Sequence, residues 1–191
     1  MRISAPFLFT LLLSVAACNT DYTPKPRGYM RIALPEKTYH NIETDCPYSF
    51  EIADYSQFIQ NPGSLTEPCW FDVSYPQFKA KLHFSYKPLK GNLAEFLEDS
   101  RTLTNKHISQ ASNIEESVII KDDTRVFGTI FFVEGSRAAS PVQFHVTDST
   151  DHFLRAALYF NVTPNNDSLA PVIDFLEQDI LHIIETLEWK S

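Results

Sequence analysis

The strongest constraint on the fold is a ten-residue run in which apolar and polar side chains alternate strictly. Apolar residues occupy positions 78, 80, 82, 84 and 86, and between them stand Lys79, Lys81, His83, Ser85 and Lys87. A period of two predicts a β-strand with one buried face and one basic, solvated face. Shorter alternations at residues 48–52 and 71–75 predict two strands before it.

After this run the hydrophobic period becomes helical. Asn92 followed by Glu95 is a capping-box pattern, and the apolar residues that follow predict a helix over about 93–108. Further strands are predicted at residues 117–120, 125–133, 141–147 and 152–162. The last of these is apolar on both faces, so we expect it to lie in the centre of the sheet and to be covered on both sides.

The chain ends in a second predicted helix. Asp167 or Ser168 is expected to cap it, with Pro171 in its first turn. One side is apolar, and Glu177, Asp179, Glu185 and Glu188 are assigned to an acidic, solvated outer face. The element order predicts an α+β fold, an antiparallel β-sheet meander with two packed helices.

The N-terminus predicts export and lipidation. Arg2 precedes an apolar run at residues 7–17, and about 11 residues are too few to span a bilayer as a mature helix. Small residues directly before Cys18 are typical of a bacterial lipoprotein signal peptide, which predicts an acyl chain such as palmitate on Cys18. The alternative is an ordinary secretory peptide followed by a chance cysteine.

Cleavage of the signal peptide directly before Cys18 predicts three segments. Residues 1–17 are the predicted signal peptide, residues 18–45 carry the lipidated cysteine and a Pro-rich extended tether, and residues 46–191 form a single globular domain. Prolines in the tether disfavour a helix, and sixteen extended residues would reach roughly 50 Å. Arg2 is the only charged residue removed, so the formal charge changes from −8 to −9. An acidic body does not suit nucleic acid and is repelled by anionic lipid.

The tether carries a candidate docking motif. Lys25, Arg27 and Arg31 interleave with Tyr22, Tyr29 and Ile32. Cations between aromatic rings suit the docking of a partner or of the protein's own body, so Lys25, Arg27, Tyr29 and Arg31 are the candidate docking residues. A solvated linker with incidental aromatics is the alternative that the sequence leaves open.

The two remaining cysteines, Cys46 and Cys69, form an even pair in a compartment that is oxidising if the protein is exported. Such a pair favours a disulfide that closes a loop of about 23 residues, for which the chain-entropy argument gives roughly 3 kcal/mol. Metal binding is the weaker reading, because no histidine or further cysteine lies nearby at ligand spacing.

Catalytic and metal motifs are weak throughout. Ser140, His145 and Asp148 lie close in sequence, but a triad is defined by geometry, and the alternation places His145 on the face opposite Phe144. The six histidines form no metal-binding motif, and the five glycines form no phosphate-binding loop. His182 is assigned to the boundary of the terminal helix. We therefore expect no enzymatic activity, no metal and no cofactor.

Several strings in the chain are similar, in order, to one known family. They are residues 21–29, 31–37, 46–50, 69–71, 81–87, 92–101, 140–150 and 152–171. In these strings the chain resembles the gliding-motility lipoprotein GldD family of the Bacteroidota. The resemblance implies a cell-envelope lipoprotein needed for gliding motility and for the associated type IX secretion machinery, and it carries over no catalytic residue. The order of strands and helices separately resembles the PsbP-like fold, an α/β/α arrangement.

Three hypotheses of function remain. The leading one is a non-enzymatic assembly or scaffold factor, held by its lipid in the inner or outer membrane with its domain facing the periplasm, that contacts protein components of the gliding and secretion machinery. The second is a periplasmic ligand-binding lipoprotein domain that acts indirectly on the envelope. The third is a hydrolase centred on His145 and Asp148.

Overall fold

The alternating segment forms a strand, Ala80–Pro88, whose side chains alternate between the core and the surface. In the computed structural model, the described residues are 32–60, 67, 69–106 and 108–190. All of them belong to one compact unit. The predicted Cys18, Lys25, Arg27, Tyr29 and Arg31 lie outside the described residues.

Eleven strands are present in the described chain. In chain order they are β1 (Tyr39–Asn41), β2 (Tyr48–Ser49), β3 (Glu51–Ala53), β4 (Gln57–Gln60), β5 (Phe71–Tyr75), β6 (Ala80–Pro88), β7 (Asn113–Lys121), β8 (Val126–Glu134), β9 (Val142–Thr147), β10 (His152–Phe160) and β11 (Glu188–Trp189). The short strands β1, β4 and β11 were not predicted, and the predicted strand at 48–52 is divided into β2 and β3. β7 is longer than the predicted 117–120 because Glu115 and Glu116 point to solvent and break the apolar pattern.

The main sheet has seven strands in the order β4-β5-β6-β10-β9-β8-β7, and all its pairs are antiparallel. β10 lies at the centre, between β6 and β9, as its two apolar faces predict. Two small pairs, β1 with β3 and β2 with β11, lie outside this sheet. The predicted α+β class with an antiparallel sheet is therefore confirmed.

Two helices cover the sheet, one on each face. Helix α1 (Leu93–Asn105) contacts the face of β10 that carries Phe153, since the rings of Phe96 and Phe153 stack 5.5 Å apart. Helix α2 (Asn166–Thr186) buries its apolar side in the main core, which holds Leu154 and Leu158 of the other face. These faces differ because successive residues of a strand point to opposite sides.

Neither predicted cap forms. The side-chain oxygen of Asn92 accepts the backbone N–H of Lys90, 2.9 Å away, rather than an N–H of the helix. Helix α2 begins at Asn166, earlier than predicted, so that Asn165 takes the N-cap position without a side-chain cap and Pro171 lies in the second turn. Local cap patterns are easily replaced when tertiary packing already fixes the helix.

The packing of two neighbouring strands requires a glycine at position 128. A Cβ atom at Gly128 in β8 would lie 1.9 Å from the backbone oxygen of His145 in the neighbouring strand β9. No rotation of a side chain relieves a contact with backbone, so any larger residue would push β8 and β9 apart. Gly128 therefore permits the close approach of these strands beside His145.

Candidate functional site

The first described residues lead from the predicted docking motif into the domain and are held there by a buried charge cluster. Asp179 of α2 is 1% exposed. Its Oδ1 accepts from Lys37 Nζ at 2.5 Å and from Tyr39 OH at 3.0 Å. Its Oδ2 accepts from Tyr55 OH at 2.5 Å. We call these four residues the Asp179 cluster.

Lys37 is held by more than the carboxylate. Its ammonium also donates to the backbone oxygen of Phe175 at 2.9 Å and lies 3.8 Å from the centroid of the Phe175 ring. A carboxylate that loses its water must be paired and hydrogen-bonded, and here one cation and two hydroxyls supply those partners. The cluster therefore fixes residue 37 onto α2.

The tyrosines of the cluster serve as hydrogen-bond donors. Burial, followed by the charge of Asp179, raises the pKa of Tyr39 to about 12. Burial and the hydrogen bond to Asp179 likewise raise the pKa of Tyr55. Burial also raises the pKa of the nearby Tyr75, whose hydroxyl has no hydrogen-bond partner among the described residues. All three phenols therefore stay protonated at neutral pH.

The chain after Lys37 remains attached to the domain. β1 pairs with β3, and Ile42 is buried in the core, although residues 18–45 were assigned to the tether. The ring of Tyr39 stacks on His182 with centroids 3.7 Å apart, and His182 Nε2 lies 2.7 Å from a carboxylate oxygen of Glu51. His182 thus lies at the boundary of α2, between Tyr39 and Glu51.

Sequence reasoning missed the Asp179 cluster. It placed Asp179 on the solvated outer face of α2, which is wrong, because the side chain points into the core. The helical spacing carried a signal: Asp179 follows Phe175 and precedes Ile183 by four residues each, and both are buried. Residues four apart share one face of a helix, so that face contains the acid.

A disulfide joins Cys46 and Cys69, the pair that the sequence favours. Their Cα atoms are 5.5 Å apart. Next to it, the hydroxyl of Tyr48 donates to the backbone oxygen of Cys69 at 2.8 Å, and Tyr48 is fully buried. The bridge therefore ties the approach to β2 to the approach to β5, across the aromatic part of the core.

The three candidate catalytic residues are not assembled into a triad. His145 points away from Phe144, as predicted, and its Nδ1 lies 3.0 Å from the hydroxyl of Ser100 in α1. The hydroxyl of Ser140 is buried and has no hydrogen-bond partner among the described residues. Asp148 accepts the backbone N–H groups of residues 150, 151 and 152 at 2.9–3.0 Å.

The electrostatics give these residues structural roles. Burial, with Arg155 and Arg101 nearby, lowers the pKa of His145 to about 4, so its imidazole is neutral near pH 7. Burial alone would raise the pKa of Asp148, but its backbone donors and the Thr150 hydroxyl lower it to about 2. Among the described residues no hydrogen bond joins His145 or Asp148 to the hydroxyl of Ser140, so the predicted triad is not formed.

An open cleft of about 460 Å³ lies beside the Asp148 turn. Its aromatic wall is formed by Trp189 and His152, whose rings stack 5.0 Å apart. Arg125 also lines the cleft: its guanidinium donates to the backbone oxygen of Asp148 at 3.1 Å, and its backbone oxygen accepts from Trp189 Nε1 at 3.1 Å. A cleft lined by aromatic rings and an arginine can accommodate a small polar ligand.

Neither a metal centre nor a membrane-spanning helix is found in the described part of the chain. No group of three or more histidine, cysteine or acidic side chains there is arranged to hold a metal ion. No helix in the same part of the chain is long and apolar enough to cross a membrane.

Comparison with known proteins identifies a family. A solved structure to which the chain is similar is the solution structure of cyanobacterial PsbP (CyanoP) from Synechocystis sp. PCC 6803, with a TM-score of 0.46 and 9% identity over 84% of this chain and 97% of that one. That similarity transfers no function. No curated protein matches the chain. A family model described as gliding motility lipoprotein GldD matches residues 19–189. This match covers nearly the whole chain and confirms the predicted family: the chain belongs to the gliding motility lipoprotein GldD family.

Proposed function

We propose that the protein is a cell-envelope lipoprotein, anchored in a membrane by an acyl chain on Cys18, that supports gliding motility as a non-enzymatic assembly or scaffold factor. The observation that carries this proposal is the family match over residues 19–189. The associated type IX secretion machinery is the proposed partner. The domain faces the periplasm, and the lipid lies in the inner or outer membrane.

The Asp179 cluster supports a role for the segment that precedes it. Docking residues gain affinity when the chain that bears them is attached to a rigid body, because less conformational entropy is lost on binding. Arg31 is six residues before Lys37, which α2 holds through Asp179 and the Phe175 backbone. Lys25, Arg27, Tyr29 and Arg31 are therefore proposed as the docking residues.

The described side chains also favour a non-enzymatic role. His145, the best general-base candidate, is buried, neutral and hydrogen-bonded to Ser100, and Asp148 is saturated by its own turn. Ser100 and His145 are only 2% and 6% exposed, so a substrate in solvent does not reach this pair. A strain carrying His145→Gln should therefore glide normally, provided that the protein is present at its usual level.

The docking proposal is tested with Arg27→Ala/Tyr29→Ala in the full chain. We expect gliding and type IX secretion to be lost, while the variant keeps its abundance and its thermal unfolding midpoint. Arg101→Ala is the matched control, since it removes one exposed cation from α1 and leaves residues 25–31 intact. Gliding that persists in the double variant would contradict the docking assignment.

The anchoring proposal needs a separate variant. Cys18→Ser, exported by an ordinary cleavable secretory signal peptide in place of residues 1–17, should move from the membrane fraction to the soluble periplasmic fraction and lose gliding. A double acyl anchor binds membranes firmly, because each buried methylene contributes about 0.8 kcal/mol. A variant that remains in the membrane fraction after a high-salt wash would contradict lipid anchoring through Cys18.

The cleft beside Trp189 favours one second candidate, a ligand-binding domain that acts indirectly on the envelope. Its aromatic wall and Arg125 are the features that support it. Native mass spectrometry of the protein purified from its own envelope would detect a ligand as a reproducible extra mass. If the cleft binds this ligand, the Trp189→Ala variant should lack the extra mass. The control variant Lys106→Ala, which changes an exposed residue, should keep it.

A further inference from the structure

Two aliphatic side chains of β7 lie open to solvent. Val118 is 75% exposed and Ile120 is 67% exposed, whereas the other exposed large apolar residues of the described chain reach at most 43%. They are two positions apart on one strand, so they point from the same face of the sheet. Together they form an exposed apolar surface on this strand that a partner strand would cover.

β7 is also an edge strand of the main sheet as the structure describes it. It pairs with β8 along all nine residues without a bulge, and in the described chain no strand lies on its other side. Sheets commonly protect such edges with proline, bulges or outward-pointing lysines. β7 has no proline, and its one lysine, Lys121, turns its ammonium to the backbone oxygens of Ile184, Glu185 and Leu187 at the end of α2.

The charges on β7 are complementary to those of the same strand running in the opposite direction. We propose that the edge is covered by a second copy of this chain, with the two β7 strands antiparallel about a two-fold axis at Val118. Val118 then faces Val118, and Glu115 of each copy faces Lys121 of the other. The two seven-stranded sheets become continuous across the axis.

The other registers fit less well. Moving the axis to Glu116 sets Glu116 against itself, and moving it to Ile119 sets Glu116 against Asp122. Like charges directly opposite each other destabilise a strand pair. An axis at Ser117 avoids repulsion but loses the Glu115–Lys121 pairs. Charge therefore selects the register centred on Val118.

The proposed pairing also supplies partners that the isolated chain lacks. Lys121 has backbone oxygens but no carboxylate within ion-pair distance among the described residues. Glu115 lies in an acidic neighbourhood, since burial, with Asp174 and Glu115 nearby, raises the pKa of Glu177. A lysine from the second copy would offset that negative charge, at an exposed site where a single pair contributes little. Backbone hydrogen bonds and the covered Val118 therefore supply most of the stabilisation.

A covalent trap tests the register directly. At the axis, the Cβ atoms of Val118 in the two copies would be about 4.5–5.5 Å apart, within reach of a disulfide after a small adjustment. Ile120 is the matched control, because it is also exposed on the same face but would lie about 14 Å from its own copy, four residues away at about 3.4 Å each. Cys46 and Cys69 are already paired and leave the added thiol as the reactive one.

We expect full-length Val118→Cys, oxidised in native membranes, to form a disulfide-linked dimer at least about tenfold more than Ile120→Cys. In this register position 116 of one copy faces position 120 of the other. When Glu116→Cys and Ile120→Cys chains with tags of different size are mixed, we therefore expect mostly the mixed dimer and little of either homodimer. Adding Val118→Lys to both chains should abolish that product while each chain remains folded, as its circular dichroism spectrum would show. Equal cross-linking of Val118→Cys and Ile120→Cys, or none in either, would overturn the proposal.

Discussion

The ammonium of Lys37 lies 2.5 Å from a carboxylate oxygen of Asp179, although 142 residues separate the two along the chain. This pair joins the N-terminal segment to the last helix, and Tyr39 and Tyr55 complete it. The domain thus includes the residues that directly follow the proposed docking motif. The pair fixes Lys37, six residues after Arg31 in the sequence, to α2.

The first prediction concerns this pair. Lys37→Met should lower the free energy of unfolding by about 2–4 kcal/mol, because it leaves the buried Asp179 charge without its cation. The double variant Lys37→Met/Asp179→Leu should be more stable than the sum of the single changes by at least about 1 kcal/mol. Urea unfolding of the four proteins measures this coupling.

The control for that cycle is the exposed pair His40–Asp54. Its ring nitrogen and carboxylate oxygen are 2.7 Å apart, but both side chains are about half exposed. An exposed pair is screened by water, so His40→Ala should leave the unfolding midpoint unchanged. Additive effects within the Lys37–Asp179 cycle would show that the two residues do not stabilise each other.

The second prediction is a pH dependence due to His145. Its folded pKa is about 4, below the ordinary value of 6.5, so between these values the folded protein binds fewer protons than the unfolded chain. Stability should therefore fall as the pH drops from about 6.5 to 4, by up to about 3 kcal/mol. His145→Gln, which keeps a partner for Ser100, should flatten the curve in this window. His40→Gln, an exposed histidine, should not; identical slopes for all three proteins would refute the assignment.

The third prediction concerns the turn closed by Asp148. Asp148→Ala leaves three backbone N–H groups without their acceptor and should cost about 2–4 kcal/mol at pH 7. Since the folded pKa of Asp148 is about 2 and the ordinary value is 3.8, the carboxylate's contribution is present above pH 4 and is lost as the pH falls towards 2. The difference between the wild type and the variant should shrink over the same range.

Asp151 provides the matched control for this turn. Its side chain is exposed, and only its backbone N–H bonds to Asp148. Asp151→Ala should therefore leave stability nearly unchanged at both pH values. A loss as large as that of Asp148→Ala would mean that any change in this turn is destabilising, independently of the carboxylate at 148.

The fourth prediction concerns the disulfide. Cys46→Ala/Cys69→Ala should reduce the free energy of unfolding by about 3 kcal/mol, the value expected for a closed loop of this length. Alkylation of the unfolded, unreduced mature protein should label neither cysteine, and alkylation after reduction should label both. Two reactive thiols before reduction would show that the pair is not bonded.

The strands could be predicted where the burial of one face, or of both, imposes a pattern on the sequence. β6 alternates along its whole length, and β10 is apolar on both faces because helices cover both, so the sequence pattern matched the structure. β7 was predicted too short because an exposed edge imposes no alternation on Glu115 and Glu116. β4 was missed for a similar reason, since it is a short edge strand whose residues are mostly exposed.

The Asp179 cluster could not be assembled from the sequence, because its members are far apart in the chain. Tyr55 and Asp179 are separated by 124 residues, and only the fold brings them together. An acid on the apolar side of α2 was nevertheless visible as an exception to its pattern. The disulfide, by contrast, could be predicted from the sequence. Once Cys18 is assigned to the lipid, Cys46 and Cys69 are left as the one intramolecular partner for each other.

The most direct test of the proposed function is cross-linking of the lipidated protein in its own membranes, followed by purification and mass spectrometry of the captured partners. The comparison is between the wild type and a variant with Lys25, Arg27, Tyr29 and Arg31 all changed to alanine, at matched abundance and unfolding midpoint. We expect components of the gliding and type IX secretion machinery to be recovered with the wild type and lost with the variant. Recovery of the same partners with both proteins would contradict docking through residues 25–31, and recovery of no machinery component with the wild type would contradict the scaffold role itself.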